Sequence, residues 1–247
     1  AERYQWLASL PVVAETWDGR LNDIMGQHVT EADALAALDS ASAGRVEEGN
    51  VGGGTGMICN QFKGGIGTAS RGFEVLGGAY TLGVLVQCNY GVRRQLRIAG
   101  APVGVEIADL MPTPPREDQD QGSIIVVAAT DAPLLPHQLK RVARRVSLGL
   151  ARNGSTSGNG SGDIFIAFST SNRAAAASQA KASYEALPNE SLDPLFAATV
   201  QATEEAIVNA MVAAETMTGA DGVTVYALPH DRLQAVLRKY NRLEERP

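Results

Sequence analysis

The chain has 247 residues, which fits one large domain or two small ones and is enough to form a hydrophobic core. Its 21 Lys and Arg against 27 Asp and Glu give a net charge of -6, which argues against nucleic-acid binding, because such proteins concentrate positive charge against phosphates. Hydrophobic residues at 45% exclude a disordered chain, two cysteines are too few for a disulfide framework, and no apolar run approaches the roughly 20 residues that cross a membrane.

The first half of the chain combines one helix signal with glycine-rich strands. Thr30 followed by Asp33 is typical of a helix N-cap, and Gly44 would end that helix. Between 51 and 104, clustered glycines alternate with short apolar runs, which predicts several strands joined by tight turns. Residues 111–122 hold three prolines and a polar, acidic run, so they predict a loop.

The second half predicts strands alternating with helices. Residues 123–129 form an apolar run suited to a strand buried on both faces, and Pro136 suits the first turn of a helix that reaches Leu150. The later patterns predict, in order, a strand at 164–168, a helix or surface segment at 174–186, a long helix at 192–217, a strand at 223–226 and a last helix at 231–243. This order favours an α+β layered sandwich over a doubly wound sheet.

Three familiar kinds of site find no support in the sequence. The glycines at 52–56 lack the Lys-Ser/Thr ending of a phosphate-binding loop, so turns and close strand packing explain them better. His28, His137 and His230 lie far apart, without the spacing of metal ligands, and no metal site is expected. The Gly-x-Ser-x-Gly motif of α/β-hydrolases is absent.

The informative position is the junction between Gly122 and Ser123, where a polar loop ends in glycine and a hydroxyl residue opens an apolar strand. Self-cleaving N-terminal nucleophile enzymes need this arrangement. The Ser123 hydroxyl would attack the Gly122 carbonyl and shift the chain from amide to ester, which frees an α-amine with an ordinary pKa of roughly 7.7–8 that can act as a base. Water would then hydrolyse the ester and release a new N-terminal serine. On this local pattern alone, an ordinary loop-to-strand boundary is the simpler interpretation.

A longer set of motifs favours the self-cleavage interpretation over an ordinary loop-to-strand boundary. The stretch DQGSIIVV (120–127), followed by TDAPLLPH (130–137), resembles the processing site of the DmpA family of L-aminopeptidase/D-alanyl-esterase-amidases and β-peptidyl aminopeptidases. The likeness covers nearly the whole chain. It continues through NGSGD (159–163), LPN (187–189) and YALPH (226–230), and upstream through DGRLNDI (18–24), GGGTGM (52–57) and VLVQCNYG (84–91).

This resemblance implies an α/β/β/α sandwich similar to the N-terminal nucleophile hydrolases, in a single domain, 1–247. Ser123 would be both the self-cleavage residue and the catalytic nucleophile. Cleavage after Gly122 would leave two associated pieces, 1–122 and 123–247. Family members extend upstream of the residue that matches Ala1 and contribute strands there, so we expect part of the first piece to be missing from these 247 residues.

Five further residues match functional positions of the family. Ser161 and Asp163 match the hydroxyl and carboxylate that assist the nucleophile, and Asn89 matches the amide that stabilises the oxyanion. Glu15 matches the acid that pairs with the free amino group of the substrate. Trp17 stands where some relatives have a tyrosine, which would remove a hydrogen bond to substrate. From the residues alone, the same side chains are interpreted as turn residues, a strand cap and a solvated loop acid.

The resemblance therefore implies a self-processing serine aminopeptidase or amidase-esterase that releases N-terminal amino acids from small peptides, amides or esters through an acyl-enzyme. No cofactor or metal is expected, the cleaved chains should form a homo-oligomer, and no nucleic-acid or membrane partner is expected. Because no signal-peptide pattern follows Ala1, the expected compartment is the cytoplasm, with the periplasm as the alternative. Two other functions stay open: an acyl transferase similar to ornithine acetyltransferases, whose nucleophile is usually threonine, and a non-catalytic scaffold or binding domain.

Overall fold

A computed structural model describes residues 12–114, 122–173 and 181–244 of the chain. The helices among these residues are α1 (Glu31–Asp39), α2 (Val103–Glu106), α3 (Pro136–Arg152), α4 (Asp193–Val212) and α5 (His230–Lys239). Short 3-10 turns occupy Ile24–Gly26, Gly52–Gly54, Arg93–Gln95 and Asn189–Ser191. The strands are β1 (Ile58–Cys59), β2 (Phe62–Lys63), β3 (Gly65–Val75), β4 (Gly78–Asn89), β5 (Ser123–Thr130), β6 (Ile164–Ser169), β7 (Met217–Thr218) and β8 (Thr224–Val225).

The centre of the fold is a four-stranded sheet in the order β3-β4-β5-β6. β3 and β4 form an antiparallel hairpin, and both residues of its loop, Leu76 and Gly77, have positive φ, the turn geometry that matches the twist of paired strands. β5 pairs antiparallel to β4, whereas β6 pairs parallel to β5. The parallel pair is joined through α3, because parallel neighbours need a long crossover connection.

Helices α3 and α4 cover one face of this sheet. The inward side chains of α3 include Val142, Val146 and Leu150, all buried in the main core, at the spacing of one helix face. α4 lies so close to β3 that a Cβ on Gly67 would sit 2.0 Å from the carbonyl oxygen of Ala206. Small residues on both elements are therefore what permits this packing.

Side chains of β4 and β5 alternate between the two faces of the sheet. Those facing the helices, such as Val86 and Val126, are fully buried. The opposite face carries Asn89, Ser123 and the half-buried Val127. The described residues thus supply one sheet and one helix layer, and the other paired strands among them are the short ribbons β1–β2 and β7–β8.

Most of the predicted elements of the second half are confirmed. The strand that starts at Ser123, the helix that starts at Pro136 and the strand that starts at Ile164 are β5, α3 and β6. The long helix ends earlier than expected, at Val212, because the side chain of Asn50 hydrogen-bonds both the N–H and the carbonyl of Glu215 and draws the chain away. Residues 174–180 of the segment expected at 174–186 lie outside the described residues.

The first half of the chain contains one predicted helix cap and one disulfide that was not predicted. Thr30 and Asp33 form the expected cap of α1, which begins at Glu31 and buries none of its residues. Cys59 and Cys88 are joined by a disulfide that links β1 to β4, a pairing that their number did not predict. In the described parts of the chain, no helix is long and apolar enough to cross a membrane.

Candidate active site

Ser123 and Asn89 occupy opposite positions on neighbouring strands. Asn89 is the last residue of β4, Ser123 is the first residue of β5, and the antiparallel register pairs them directly. Directly paired residues place their side chains on the same face, here the face that points away from α3 and α4. Asn89 is buried and Ser123 is half-buried. The register therefore brings together the expected oxyanion donor and the expected nucleophile.

The residue before the nucleophile has no room for a side chain. A Cβ on Gly122 would lie 2.0 Å from the carbonyl oxygen of Asn89 and 2.8 Å from Cα of Tyr90. Both atoms belong to the backbone, so neither can rotate away. Glycine at this position allows the backbone at the start of β5 to pack directly against the backbone at the end of β4.

The Ser123 hydroxyl also contacts the loop that precedes β6. Its Oγ accepts a hydrogen bond from the backbone N–H of Gly162 at 2.9 Å. A Cβ on Gly162 would lie 3.2 Å from that oxygen, so glycine permits the close approach. The N–H orients the hydroxyl, and it can stabilise negative charge that develops on the oxygen during a reaction.

The Asp163 carboxylate accepts three hydrogen bonds beside Ser123. Its Oδ1 accepts from the Ser161 hydroxyl at 2.6 Å and from the Ile124 N–H at 3.1 Å, and its Oδ2 accepts from the Ser157 hydroxyl at 3.2 Å. The parallel register of β5 and β6 places Asp163, the residue before β6, next to the start of β5. The Ser161 hydroxyl is thus directed at the carboxylate rather than at the nucleophile.

The side-chain amide of Asn89 is fixed at both ends. Its Oδ1 accepts a hydrogen bond from the Ile58 N–H at 2.8 Å, and its Nδ2 donates to the Trp17 carbonyl at 2.9 Å. An amide nitrogen carries two N–H donors, and within the described part of the chain the second has no acceptor, so it is available to a further group. A rigidly held donor is what stabilisation of a developing oxyanion requires.

Residues 15–17 cross the end of β4 as a short strap. The buried Thr16 anchors it, because its Oγ1 accepts from Gln87 Nε2 at 2.6 Å and donates to Met57 Sδ at 2.8 Å. Glu15 is exposed and forms no hydrogen bond or ion pair with a described residue, and the Trp17 side chain is 49% exposed. The strap therefore brings the Trp17 carbonyl into the site, whereas the Glu15 side chain is exposed and the Trp17 indole is half exposed and lies against Gly19.

Two residues of the site were not among those predicted from the sequence. Ser157 supports the carboxylate of Asp163, and the buried Lys63 hydrogen-bonds the loop that leads to Ile58. The signal for Lys63 was its position in a glycine-rich, apolar segment, where a charged side chain needs specific partners. Ser157 carried no comparable signal, because it is one of several small polar residues between 153 and 162.

The site combines a hydroxyl, a carboxylate and amide donors, the groups used in acyl transfer through a covalent intermediate. Across the described ranges, no three His, Cys, Asp or Glu side chains cluster as ligands of a metal ion would.

The chain is similar in sequence to known peptidases. The model of peptidase family S58 matches residues 1–225. The beta-peptidyl aminopeptidase BapA of Sphingosinicella microcystinivorans is 53% identical in an alignment 258 residues long, which covers 96% of this chain and 65% of that protein. The protein of the same name from Sphingosinicella xenopeptidilytica is 50% identical over 240 residues, covering 93% and 60%. The chain thus spans less than two thirds of the length of these relatives.

A solved structure has the same fold as the described residues of this chain. The L-aminopeptidase D-Ala-esterase/amidase from Ochrobactrum anthropi, described as a new variant of the Ntn hydrolase fold, superposes with a TM-score of 0.86 at 54% identity. The superposition covers 92% of this chain and 62% of that one. The expected α+β sandwich similar to N-terminal nucleophile hydrolases is therefore confirmed.

Proposed function

The chain belongs to peptidase family S58, and from this premise we propose that it is part of a self-processing serine aminopeptidase, or amidase-esterase, whose nucleophile is Ser123. The observation that carries the proposal is the position of Ser123 Oγ. It lies at the start of β5, directly across from Asn89, and it accepts the Gly162 N–H. The Asp163 carboxylate is held beside it through the adjacent Ile124 N–H.

Self-cleavage is the first reaction of the proposed mechanism. Ser123 Oγ attacks the carbonyl carbon of Gly122, and the C–N bond to Ser123 breaks as its nitrogen takes up the hydroxyl proton. The chain is then joined by an ester between Gly122 and Ser123 Oγ. The same step leaves the α-amine of Ser123 free, and water then hydrolyses the ester, giving a carboxylate on Gly122 and restoring the Ser123 hydroxyl. The absence of a side chain on Gly122 keeps the carbonyl open to attack.

Hydrolysis of substrate uses the same hydroxyl. The free α-amine of Ser123 takes the proton from Oγ as that oxygen attacks the carbonyl after the N-terminal residue of the substrate. The second N–H of the Asn89 amide donates to the oxyanion. The proton passes to the leaving amine or alcohol, and water then releases the acyl group. Ser161 and Asp163 fix the loop that carries the Gly162 N–H, which supports Ser123 Oγ as it becomes a leaving group.

Glu15 would give the site its preference for substrates with a free amino group. A carboxylate near an ammonium ion provides a strong, charge-assisted hydrogen bond. The strap at 15–17 lies across the end of β4, next to the Asn89 amide, so a bound substrate can meet the exposed Glu15 there. Trp17 on the same strap offers an indole where some relatives have a phenol, so the substrate would lose one hydrogen bond and gain apolar contact.

The proposed substrates are small peptides, amino-acid amides and amino-acid esters, and the cleaved chains would associate as a homo-oligomer. The Cys59–Cys88 disulfide supports the periplasm rather than the cytoplasm as the compartment, because disulfides persist in oxidising environments.

The experiment is to compare the purified protein with its Ser123→Ala variant on a panel of aminoacyl p-nitroanilides. Ser147→Ala is the matched control, because Ser147 is an exposed serine on α3. We expect the Ser123 variant alone to lose activity. Activity that survives in Ser123→Ala refutes the assignment of Ser123 as the nucleophile. A lack of turnover by the unmodified protein supports the scaffold alternative. Transfer of the acyl group to an added amine in preference to water supports the transferase alternative.

A further inference from the structure

Lys63 is a buried cation whose hydrogen bonds all go to the backbone. The residue is fully buried, and its Nζ donates to the carbonyls of Gly54 at 3.1 Å, Met57 at 3.0 Å and Gly64 at 2.8 Å. An ammonium group has three N–H donors, so these three carbonyls use its full capacity. Burying a charge without a carboxylate partner is unfavourable unless such contacts compensate for the lost water.

One of these carbonyls leads directly to the proposed oxyanion donor. The Met57 carbonyl and the Ile58 N–H belong to the same peptide group, and that N–H donates to Asn89 Oδ1 at 2.8 Å. A series of hydrogen bonds therefore connects the Lys63 ammonium, through one peptide group, to the Asn89 amide. Successive hydrogen bonds polarise one another, and a charged donor at the head of such a chain strengthens the bonds that follow.

We propose that Lys63 is a positioning residue for the reaction at Ser123, which acts through the Met57–Ile58 peptide to orient the Asn89 amide and to make its N–H groups stronger donors. This inference rests on the proposed function of Asn89. The peptide is held from one side by the ammonium and from the other by the amide oxygen, so loss of Lys63 would free both. The catalytic step would slow, because an oxyanion donor acts only when it is held in place.

The protonation state of Lys63 gives the inference a second signature. Burial lowers the pKa of Lys63 to about 8, with no contribution from another charged group. The charged and titratable groups on the neighbouring segments are Asp18, whose side chain lies against Gly56, Arg93, whose guanidinium stacks on Phe62, and Tyr226, whose carbonyl accepts the Lys63 backbone N–H. Cys59 and Cys88 do not titrate, because they form the disulfide. Above pH 8 the neutral amine keeps only two donors for three carbonyls.

The test is a double-mutant cycle with Lys63→Met, Asn89→Ala and the combined variant, measured as kcat and KM on an aminoacyl p-nitroanilide. We expect Lys63→Met to lower kcat by about 10- to 100-fold, a part of the effect of removing an oxyanion donor, with KM nearly unchanged. In the Asn89→Ala background the same substitution should change kcat by less than about twofold, because the two residues act as one unit. If Lys63→Met lowers kcat by the same factor in the unmodified protein and in Asn89→Ala, the inference is overturned.

A control separates this effect from general loosening of the loop. Thr55→Val removes a hydroxyl that donates to the Gly52 carbonyl in the same loop but has no link to the Met57–Ile58 peptide. Its kcat should stay at the level of the unmodified protein. If Thr55→Val slows the reaction as much as Lys63→Met does, loop order alone explains the result and the inference fails.

Two readouts need no Lys63 variant. Deprotonation of the Ser123 amine should raise kcat at about pH 8 in the unmodified protein and in Asn89→Ala alike, so the ratio of their kcat values isolates the effect of Lys63. That ratio should fall towards one as Lys63 loses its proton above about pH 8, and a ratio that stays constant with pH contradicts the inference. The side-chain NH2 resonances of Asn89, followed by NMR with 15N-labelled asparagine, should shift over the same pH range, and resonances that stay constant contradict it. Because this NMR readout does not depend on turnover, it tests the Lys63 link even if the protein hydrolyses no amide, the result that would refute the proposed function instead.

Discussion

Replacing Gly122 by alanine should greatly slow the proposed maturation of the protein. The added Cβ would lie 2.0 Å from the Asn89 carbonyl oxygen, and no real Cβ contact is shorter than 3.0 Å, so the end of β4 and the start of β5 must separate by about 1 Å. This shift moves the Ser123 hydroxyl relative to the carbonyl that it attacks in the proposed self-cleavage. A displacement of about 1 Å between reacting groups lowers a rate by roughly 100-fold.

The assay follows the intact mass of newly synthesised protein over time, with Gly83→Ala as the matched control. Gly83 lies in the same strand, β4, and a Cβ there would meet no atom within 4 Å, so this variant should mature at the normal rate. Thermal unfolding of the uncleaved forms shows whether each variant is folded. If folded Gly122→Ala matures as fast as Gly83→Ala, the proposed role of the close contact with Asn89 is wrong.

Three further predictions concern the surroundings of the nucleophile. Ser157→Ala removes one exposed hydrogen bond to Asp163 Oδ2 and should lower kcat by about 3- to 10-fold without a change in thermal stability; a wild-type kcat contradicts this. Glu15→Gln should raise KM for substrates with a free amine and leave N-blocked esters unchanged, and equal effects on both refute the amine-binding role. Because burial lowers the pKa of Lys63 to about 8 from 10.5, the unfolded chain binds more protons between these values. This group should therefore make the free energy of unfolding rise with pH in that window, by up to about 3 kcal/mol relative to Lys63→Met, and urea denaturation at pH 8 and pH 10 measures the difference.

The elements that flank the nucleophile could be predicted from the sequence because their signals are local. The apolar run after Ser123 has the composition of a buried strand, and Pro136 followed by apolar residues at helical spacing has the pattern of a helix. The pairing of Asn89 with Ser123 could not be derived in this way. It depends on the register between two strands separated by a long connection, and the expectation that these residues act together came from family resemblance.

The contacts that hold the site together depend on tertiary structure. Lys63 reaches Asn89 only through a peptide that the folded loop places between them, and no spacing in the sequence encodes that link. The end of α4 at Val212 is likewise set by Asn50, a residue distant in sequence. The strap that carries Glu15 and Trp17 is anchored by Thr16 on Gln87 and Met57, which are distant in sequence, so the placement of these two side chains could not be predicted from the sequence.

The most direct test of the account is the intact mass and N-terminal sequence of the mature protein isolated from its native host. The account predicts two chains, one of which begins with Ser123, and a single uncleaved, inactive chain for Ser123→Ala. Mature protein that hydrolyses amides at its full rate with the bond between Gly122 and Ser123 intact would contradict it.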